Sequence, residues 1–161
     1  MEFEVDVSGE DIFSRDYTIC ISNKEGIIKG FKFNQDLIRN LRANYLEGKY
    51  RYTHSKKDKA LFKIRAYCII VYYLFKSIGK PNAVSLNVCR DFYGHESNID
   101  SNLKYFLENL LFIKIDSIKH EKLSAESIGH RYAYLMRKDV KNQMKNYVDI
   151  SLKEIEKFLK K

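Results

Sequence analysis

One apolar helix constrains the fold of this chain more than any other segment. Between residues 61 and 78, apolar side chains recur at spacings of three and four, which is the period of an α-helix. The members of this stripe are Leu61, Ile64, Cys68, Val71, Phe75 and Ile78. Tyrosines and leucines fill the positions between them, so the helix is apolar on nearly every side. A helix of this kind must be covered by other elements, and the glycine of "GKP" marks its end.

Strand patterns lie on both sides of this helix. In "FEVDVS" apolar and polar residues alternate, which is typical of a strand with one buried face. The predicted strands cover residues 2–8, 16–22, 26–33, 83–89 and 111–118, and the other predicted helices cover residues 34–47, 99–110, 126–147 and 151–160. The first three strands form a meander, and helices connect the later ones, which favours parallel pairing. The sequence therefore predicts an α/β fold of mixed type, with a five-stranded mixed sheet and helices on its faces, as a single domain over residues 1–161.

Composition narrows the class of protein. Hydrophobic residues make up 45% of the 161 residues and charged residues 31%, which is typical of a globular domain with a real core. The most apolar stretch, "AYCIIVYYLF", is too short to cross a bilayer, so no membrane partner is expected. The three cysteines lie far apart within apolar segments, as buried thiols in a reducing compartment do. These features predict a cytoplasmic protein.

Positive charge is concentrated in one part of the chain. Residues 49–80 hold nine of the 29 Lys and Arg residues and a single acid, Asp58, whereas the rest of the chain holds 20 basic and 20 acidic residues. The whole formal net charge of +8 therefore belongs to this segment. Residues 1–16, in contrast, carry six acids and one base. A basic block beside an acidic strand suits a polyanion held near a cation.

Four short motifs, taken in chain order, resemble the ribonuclease H-like superfamily, which includes ribonucleases H and Holliday-junction resolvases. They are "VDVSG" with Asp6, "SKKDKALFKI" with Asp58, "NVCRDF" with Asp91, and "ESIGHRYAYLMR" with Glu126 and His130. The resemblance covers roughly residues 1–140. The helix predicted near residues 34–47 and the C-terminal helix near residues 151–160 would be additions to that fold.

The resemblance implies a metal-dependent nuclease. In that superfamily, acids from strand one, the first long helix, the end of strand four and the helix after strand five bind the metal. Here it implies metal ligands at Asp6, Asp91, Asp58 and Glu126, with His130 where the family places its last acid, as a ligand or proton shuttle. The cofactor would be Mg²⁺ or Mn²⁺, since such ions take oxygen ligands and shield the charge of a phosphodiester. It also implies that strands one and four lie side by side, which would make Asp6 and Asp91 neighbours.

Each of these residues has a plainer interpretation that the sequence leaves open. Asp6 is equally explained as a solvated acid on a sheet face, and Asp58 as an electrostatic cap in the first helical turn. Asp91 begins a segment rich in turn residues. His130 is also explained as a hydrogen-bonded histidine on a polar helix face.

The basic block is the predicted nucleic-acid interface. Tyrosines alternate with cations at its start, a pattern in which bases stack on rings while cations bind phosphates. The predicted contacts are Lys49, Tyr50, Arg51, Tyr52, Lys56, Lys57 and Lys59. The plainer interpretation is a solvated helix start. Nothing in the pattern separates RNA from DNA.

Three functions follow from these observations. The first is a divalent-metal-dependent nuclease of ribonuclease H-like type that acts on structured nucleic acid. The second is a non-catalytic nucleic-acid-binding module of the same fold. The third is a protein–protein interaction scaffold in which the last helix mediates association. Whether Asp6, Asp91 and a third acid converge in space discriminates the first function from the others.

Overall fold

The computed structural model describes residues 1–79 and 81–160. Five strands are present: β1 (Glu2–Ser8), β2 (Thr18–Ser22), β3 (Ile28–Lys32), β4 (Ala83–Cys89) and β5 (Lys114–Glu121). The helices are α1 (Gln35–Leu46), α2 (Lys56–Lys76), α3 (Glu96–Leu103), α4 (Ile128–Lys138) and α5 (Leu152–Glu156). A π-helical segment, Lys104–Leu110, continues α3. The predicted order of elements is confirmed.

All five strands form one mixed sheet, as predicted, in the order β3-β2-β1-β4-β5. The pairs β1–β2 and β2–β3 are antiparallel, because short turns join them. The pairs β1–β4 and β4–β5 are parallel, and each of these connections passes through helices. The side-by-side pairing of strands one and four, which the resemblance implied, is therefore present.

The two faces of the sheet differ in character because side chains alternate along each strand. One face of β1 presents Phe3, Val5 and Val7 to the main hydrophobic core. Long helix α2 lies in that core, and the rings of Phe3 and Phe75 meet edge to face with centroids 5.0 Å apart. Both α3 and the π-helical segment pack against α2.

The opposite face of β1 carries acids and is covered by α4, which packs on β1, β2 and β3. Close approach of this helix depends on Gly30 in β3. A Cβ at this position would lie 2.5 Å from Cε of Met136. Together with Met136, Cys20 and Ala133 form a small second cluster under the helix.

The helix predicted over residues 126–147 is shorter in the structure. It ends at Lys138, and the Asp139 carboxylate accepts hydrogen bonds from the Met144 amide (2.9 Å) and the Tyr147 hydroxyl (2.7 Å). This turn returns the chain to the outer strand β3, where Gly30 donates to the carbonyl of Asn146. Residues 146–148 therefore extend the sheet beyond β3, whereas β5 forms the other outer strand.

The added helices pack into the body of the chain. Asn34 caps α1 as predicted, with its side chain accepting from the Leu37 amide. Ser151 and Glu154 form the predicted capping box of α5, and Ile155 and Leu159 are fully buried. The helix predicted near residues 151–160 is shorter in the structure, because α5 ends at Glu156. The hypothesis that this helix mediates association with another protein stays a prediction.

Within residues 1–79 and 81–160, no helix has the length and apolar character that crossing a bilayer requires.

Candidate functional site

Asp6 and Asp91 lie at the same edge of the sheet, at the carboxyl ends of β1 and β4. The parallel register pairs Val5 with Val88, so Asp6 is next to Cys89, and Asp91 follows two residues after that strand ends. The Tyr17 hydroxyl donates to Oδ2 of Asp91 at 2.6 Å. Partial burial raises the pKa of the Asp91 carboxyl. The hydrogen bond from Tyr17 lowers this pKa, whereas the charges of nearby acids, including Asp6, raise it. The two acids therefore share one electrostatic environment.

Asp6 is completely buried, with 0% of the residue exposed. Its Oδ1 accepts from the Val7 amide at 2.7 Å. Nδ1 of His130 lies 3.4 Å from Oδ2, yet Oδ2 has no hydrogen-bond partner among the described residues. Burial and the Asp6 carboxylate together raise the pKa of the Cys89 thiol to about 12, so this neighbour is a neutral thiol rather than a competing thiolate.

The first turn of α4 covers Asp6. Gly129 makes this possible, because a Cβ there would lie 3.0 Å from Oγ of Ser22 and 3.4 Å from Cβ of Asp6. Burial under this turn raises the pKa of the Glu4 carboxyl, and the charge of Asp6 raises it further. The same turn places His130 beside Asp6 and closes Asp6 off from solvent, while the role predicted for His130 stays a prediction.

Asp58 is engaged as part of a helix cap. It accepts from the amide of Thr53 at 2.7 Å and from its hydroxyl at 2.8 Å, while Ser55 caps α2 by accepting from the Asp58 amide. The hydrogen bonds from Thr53 lower the pKa of the Asp58 carboxyl. This geometry matches the capping interpretation. Glu126 is exposed in the turn before Ser127, the cap of α4.

A third acid near the edge is Asp11, which the sequence interpretation missed. It lies in the turn between β1 and β2 and contributes to the raised pKa of Asp91. Lys63 of α2 binds its carboxylate, with Nζ 2.9 Å from Oδ2. The available signal was positional: a turn that follows β1 directly must lie at the same sheet edge as the end of β1.

These acids do not compose a two-ion centre. In the part of the chain that the structure describes, no group of three or more His, Cys, Asp or Glu side chains is arranged to hold a metal ion. One oxygen of Asp6 is bonded to the backbone, and the carboxylates of Asp11 and Asp58 are bonded to other groups. The residues present in this conformation therefore do not fit the Mg²⁺ or Mn²⁺ site that the resemblance implies.

Several cations of the basic block are engaged in contacts within the chain. Arg51 donates to the carbonyl of Phe158 at 2.6 Å, and Lys49 pairs with Glu47 at 3.0 Å. Arg65 donates to Asn102 at 2.7 Å and lies over the ring of Phe106. Lys80 lies outside the described residues.

The two tyrosines of the block are not equivalent. Tyr50 is 1% exposed, and its hydroxyl donates to the Glu156 carboxylate at 2.7 Å. No base can stack on this ring, so Tyr50 is removed from the predicted interface. Tyr52 is half-buried against the core, with its ring centroid 6.0 Å from that of Phe62.

Three lysines of the block lie exposed together at the start of α2: Lys56, Lys57 and Lys59. They occupy the first turn of α2, and none of them forms an ion pair within residues 1–79 and 81–160. Lys63, one turn further along the helix, reaches Asp11. Lys59 lines the same pocket as Lys63 and Asp11, so this part of α2 reaches the acidic edge, on the face of the sheet opposite α4.

Comparison with protein-family models, with curated proteins and with solved structures found no match to this chain.

Proposed function

We propose that this protein is a nucleic-acid-binding module of ribonuclease H-like type. One observation carries the proposal: Lys56, Lys57 and Lys59 place three exposed cations, without an ion pair among the described residues, in the first turn of α2. The N-terminus of a helix is the positive end of its macrodipole, so cations there oppose stability, each by about 0.3–1 kcal/mol. Residues that violate a local rule of stability are typical of functional sites. A bound polyanion would offset the unfavourable interaction between these lysines and the positive end of the α2 dipole.

The arrangement of the sheet supports the ribonuclease H-like part of the proposal. A central β1 lies between an antiparallel neighbour and a parallel one, and acids gather where β1 and β4 end. Cationic helices reach this edge from both faces, since Lys63 of α2 binds Asp11 and Arg137 of α4 donates to Ser8 at 2.8 Å. A nucleic-acid strand bound along this edge would therefore contact cations from both faces of the sheet.

Replacing Lys56, Lys57 and Lys59 together with alanine is expected to weaken nucleic-acid binding and to flatten its salt dependence. On duplex, the slope of log K against log salt should fall by about 2–3, at ~0.9 for each phosphate that loses its lysine. Fluorescence anisotropy with a labelled duplex, at several salt concentrations, measures both quantities. The fold should be retained, because the three side chains are exposed.

The matched control replaces Lys114, Lys119 and Lys122, which are also exposed but lie on or just after the outer strand β5. Both triple variants lose the same net charge. A general electrostatic attraction would weaken binding equally in the two, and that result would remove α2 from the interface.

A second candidate function, metal-dependent phosphodiester cleavage, is favoured by one further observation. Oδ2 of Asp6 is buried without a hydrogen-bond donor among the described residues, with only Nδ1 of His130 at 3.4 Å, and a buried carboxylate that lacks hydrogen bonds is costly. A cation would compensate it if α4 moved aside. Because the acids of the described residues form no two-ion group, this candidate stands second to nucleic-acid binding.

Asp6→Asn tests this candidate. We expect the variant to keep or raise its melting temperature in EDTA, because one buried charge is gone. It should also lose the stabilisation that millimolar Mn²⁺ gives the parent, since an ion that binds only the folded state stabilises it by about 2.7 kcal/mol at 100 times its Kd. Asp91→Asn should behave alike, and the double variant should add little further loss, since both residues would serve one site.

Asp58→Asn is the control for the metal response. Its carboxylate accepts two hydrogen bonds from Thr53 in the turn before α2, so this variant should lose stability with and without metal and keep the full response to Mn²⁺. Equal metal responses in the parent, Asp6→Asn and Asp91→Asn would reject the metal site and leave the binding module as the function.

A further inference from the structure

The outward face of α4 combines exposed apolar side chains with cations. Tyr134 is 48% exposed, and Leu135 and Ile128 of the same helix are also exposed. The inward face of the helix is already satisfied, because Ala133 and Met136 pack on the sheet. Ile128, Tyr134 and Leu135 belong to neither of the two hydrophobic clusters that the described residues form.

Cations surround the exposed tyrosine at helical spacing. Arg137 and Lys138 follow Tyr134 by three and four residues, and each has its charged group 5.8 Å from the ring centroid. Arg131 precedes the tyrosine by three residues and is exposed. The face therefore presents a ring between cations, the arrangement in which a base stacks while neighbouring phosphates are neutralised.

The charge of this region is one-sided. Residues 128–145 hold five Lys and Arg residues and one acid, Asp139. The Asp139 carboxylate is occupied by the Met144 amide and the Tyr147 hydroxyl. Within residues 1–79 and 81–160, none of the five cations forms an ion pair. Such a surface is complementary to a polyanion.

The position of Arg137 connects this face to the acidic edge. Its Nε donates to Oγ of Ser8, the last residue of β1. A nucleic-acid strand bound along α4 would therefore reach the edge of the sheet where Asp91 and Asp11 lie, opposite the lysines of α2.

We infer that the outward face of α4 is a second contact surface, specific for single-stranded nucleic acid, in which a base stacks on Tyr134 and phosphates contact Arg131 and Lys138. This inference rests on the proposed function, because it assumes that the chain binds nucleic acid. It goes further in assigning the single-stranded class: unpaired bases can stack on a protein ring, whereas the bases of a duplex are already stacked on one another.

The test is fluorescence anisotropy with a labelled 20-nucleotide oligo(U) strand and a labelled duplex. Tyr134→Ala is expected to weaken oligo(U) binding about 10-fold while changing duplex binding less than about 2-fold. Tyr134→Phe, which keeps the ring, should retain the parent affinity for oligo(U). Arg131→Ala combined with Lys138→Ala should reduce the salt slope for oligo(U) by about 1.4, at ~0.7 for each phosphate contact.

Tyr105→Ala is the matched control. Tyr105 is also exposed, at 39%, and also has a cation near its ring, since Cζ of Arg65 lies 5.4 Å from the centroid. That arginine is held by the Phe158 carbonyl and Asn102, so it is not free to bind a phosphate beside this ring. Oligo(U) affinity should be unchanged in Tyr105→Ala. Circular dichroism melts of all variants verify that the exposed substitutions leave the fold intact.

The outcomes separate this inference from the proposed function. If the parent protein binds neither oligo(U) nor duplex, both fail. If the parent binds and the α2 lysine variant is weakened, but Tyr134→Ala binds oligo(U) like the parent, only the α4 surface is rejected. Binding of the parent to phosphatidylserine vesicles, or a dimer in analytical ultracentrifugation, overturns the inference if Tyr134→Ala abolishes that association and leaves oligo(U) binding intact.

Discussion

Replacing Gly9 with alanine is expected to lower the free energy of unfolding by about 3 kcal/mol. Gly9 has φ +132°, a conformation that residues with a Cβ rarely adopt, and strain of this kind costs about 1–3 kcal/mol. A Cβ at this position would also lie 2.7 Å from Cδ2 of Tyr17 and 3.2 Å from its Cα. Because the backbone of Tyr17 cannot yield as a flexible side chain can, overpacking adds about 1–3 kcal/mol.

Urea denaturation measures this change, and Gly26→Ala separates its two causes. Gly26 has φ +90°, with nothing within 4 Å of a Cβ, so only the conformational strain applies there. We expect Gly26→Ala to cost roughly 1 kcal/mol. Similar losses in the two variants would show that contact with Tyr17 contributes nothing. The difference in stability between the two variants bears on the candidate site, because it measures how tightly Tyr17 is packed, and Tyr17 donates the hydrogen bond to Asp91.

Glu156→Ala should also cost about 3 kcal/mol, although its position near the end of the chain would suggest tolerance. Oε2 of this buried carboxylate accepts from the Tyr50 hydroxyl at 2.7 Å and from the Asn44 side chain at 2.8 Å. Removing the acceptor leaves a hydroxyl donor orphaned in the core, which costs about 1–3 kcal/mol, and the hydrogen bond from Asn44 is removed as well.

Two further variants isolate this effect in denaturant melts. Glu156→Gln keeps an acceptor oxygen and should lose about 1 kcal/mol, since charge assistance disappears while one hydrogen bond persists. Adding Tyr50→Phe to Glu156→Ala removes the orphaned hydroxyl and should recover part of the loss. If adding Tyr50→Phe lowers the free energy of unfolding further, the Tyr50 hydroxyl has found another hydrogen-bond acceptor. The hydrogen bond to Glu156 is then not what holds α5 in place.

The fold could be predicted largely because its strongest signals are local. The stripe of α2 depends on the spacing of its own residues, and the caps at Asn34 and Ser151 depend on side chains three residues from the amides or carboxylates they bind. The length of α4 was not predictable in this way. It ends where the Asp139 carboxylate binds the Met144 amide, in a turn that returns the chain to Gly30. Nothing in a helical pattern signals a contact with a distant strand.

The candidate site shows the same limit. That Asp6 and Asp91 share one edge was predicted only through the resemblance, which implied that strands one and four pair side by side; the positions of the two residues in their strands do not show that pairing. The burial of Asp6 could not be predicted, because it depends on how closely Gly129 allows α4 to approach the sheet. The prediction for Tyr50 is wrong for a related reason: in "KYRY" it resembles an exposed ring between cations, and only the distant Glu156 makes it a core residue.

The two outer strands of the sheet are protected from unwanted pairing by different means. An exposed strand edge is a template for aggregation, and proteins block it by covering it or by placing charges along it. At β3 the chain covers the edge itself, because residues 146–148 bond to both sides of Gly30. At β5 the deterrent is electrostatic, since Lys114, Asp116, Lys119 and Glu121 alternate in sign along an exposed strand. High salt weakens only the second kind of protection, so pairing through the edge of β5 should increase with ionic strength, whereas pairing through the edge of β3 should not.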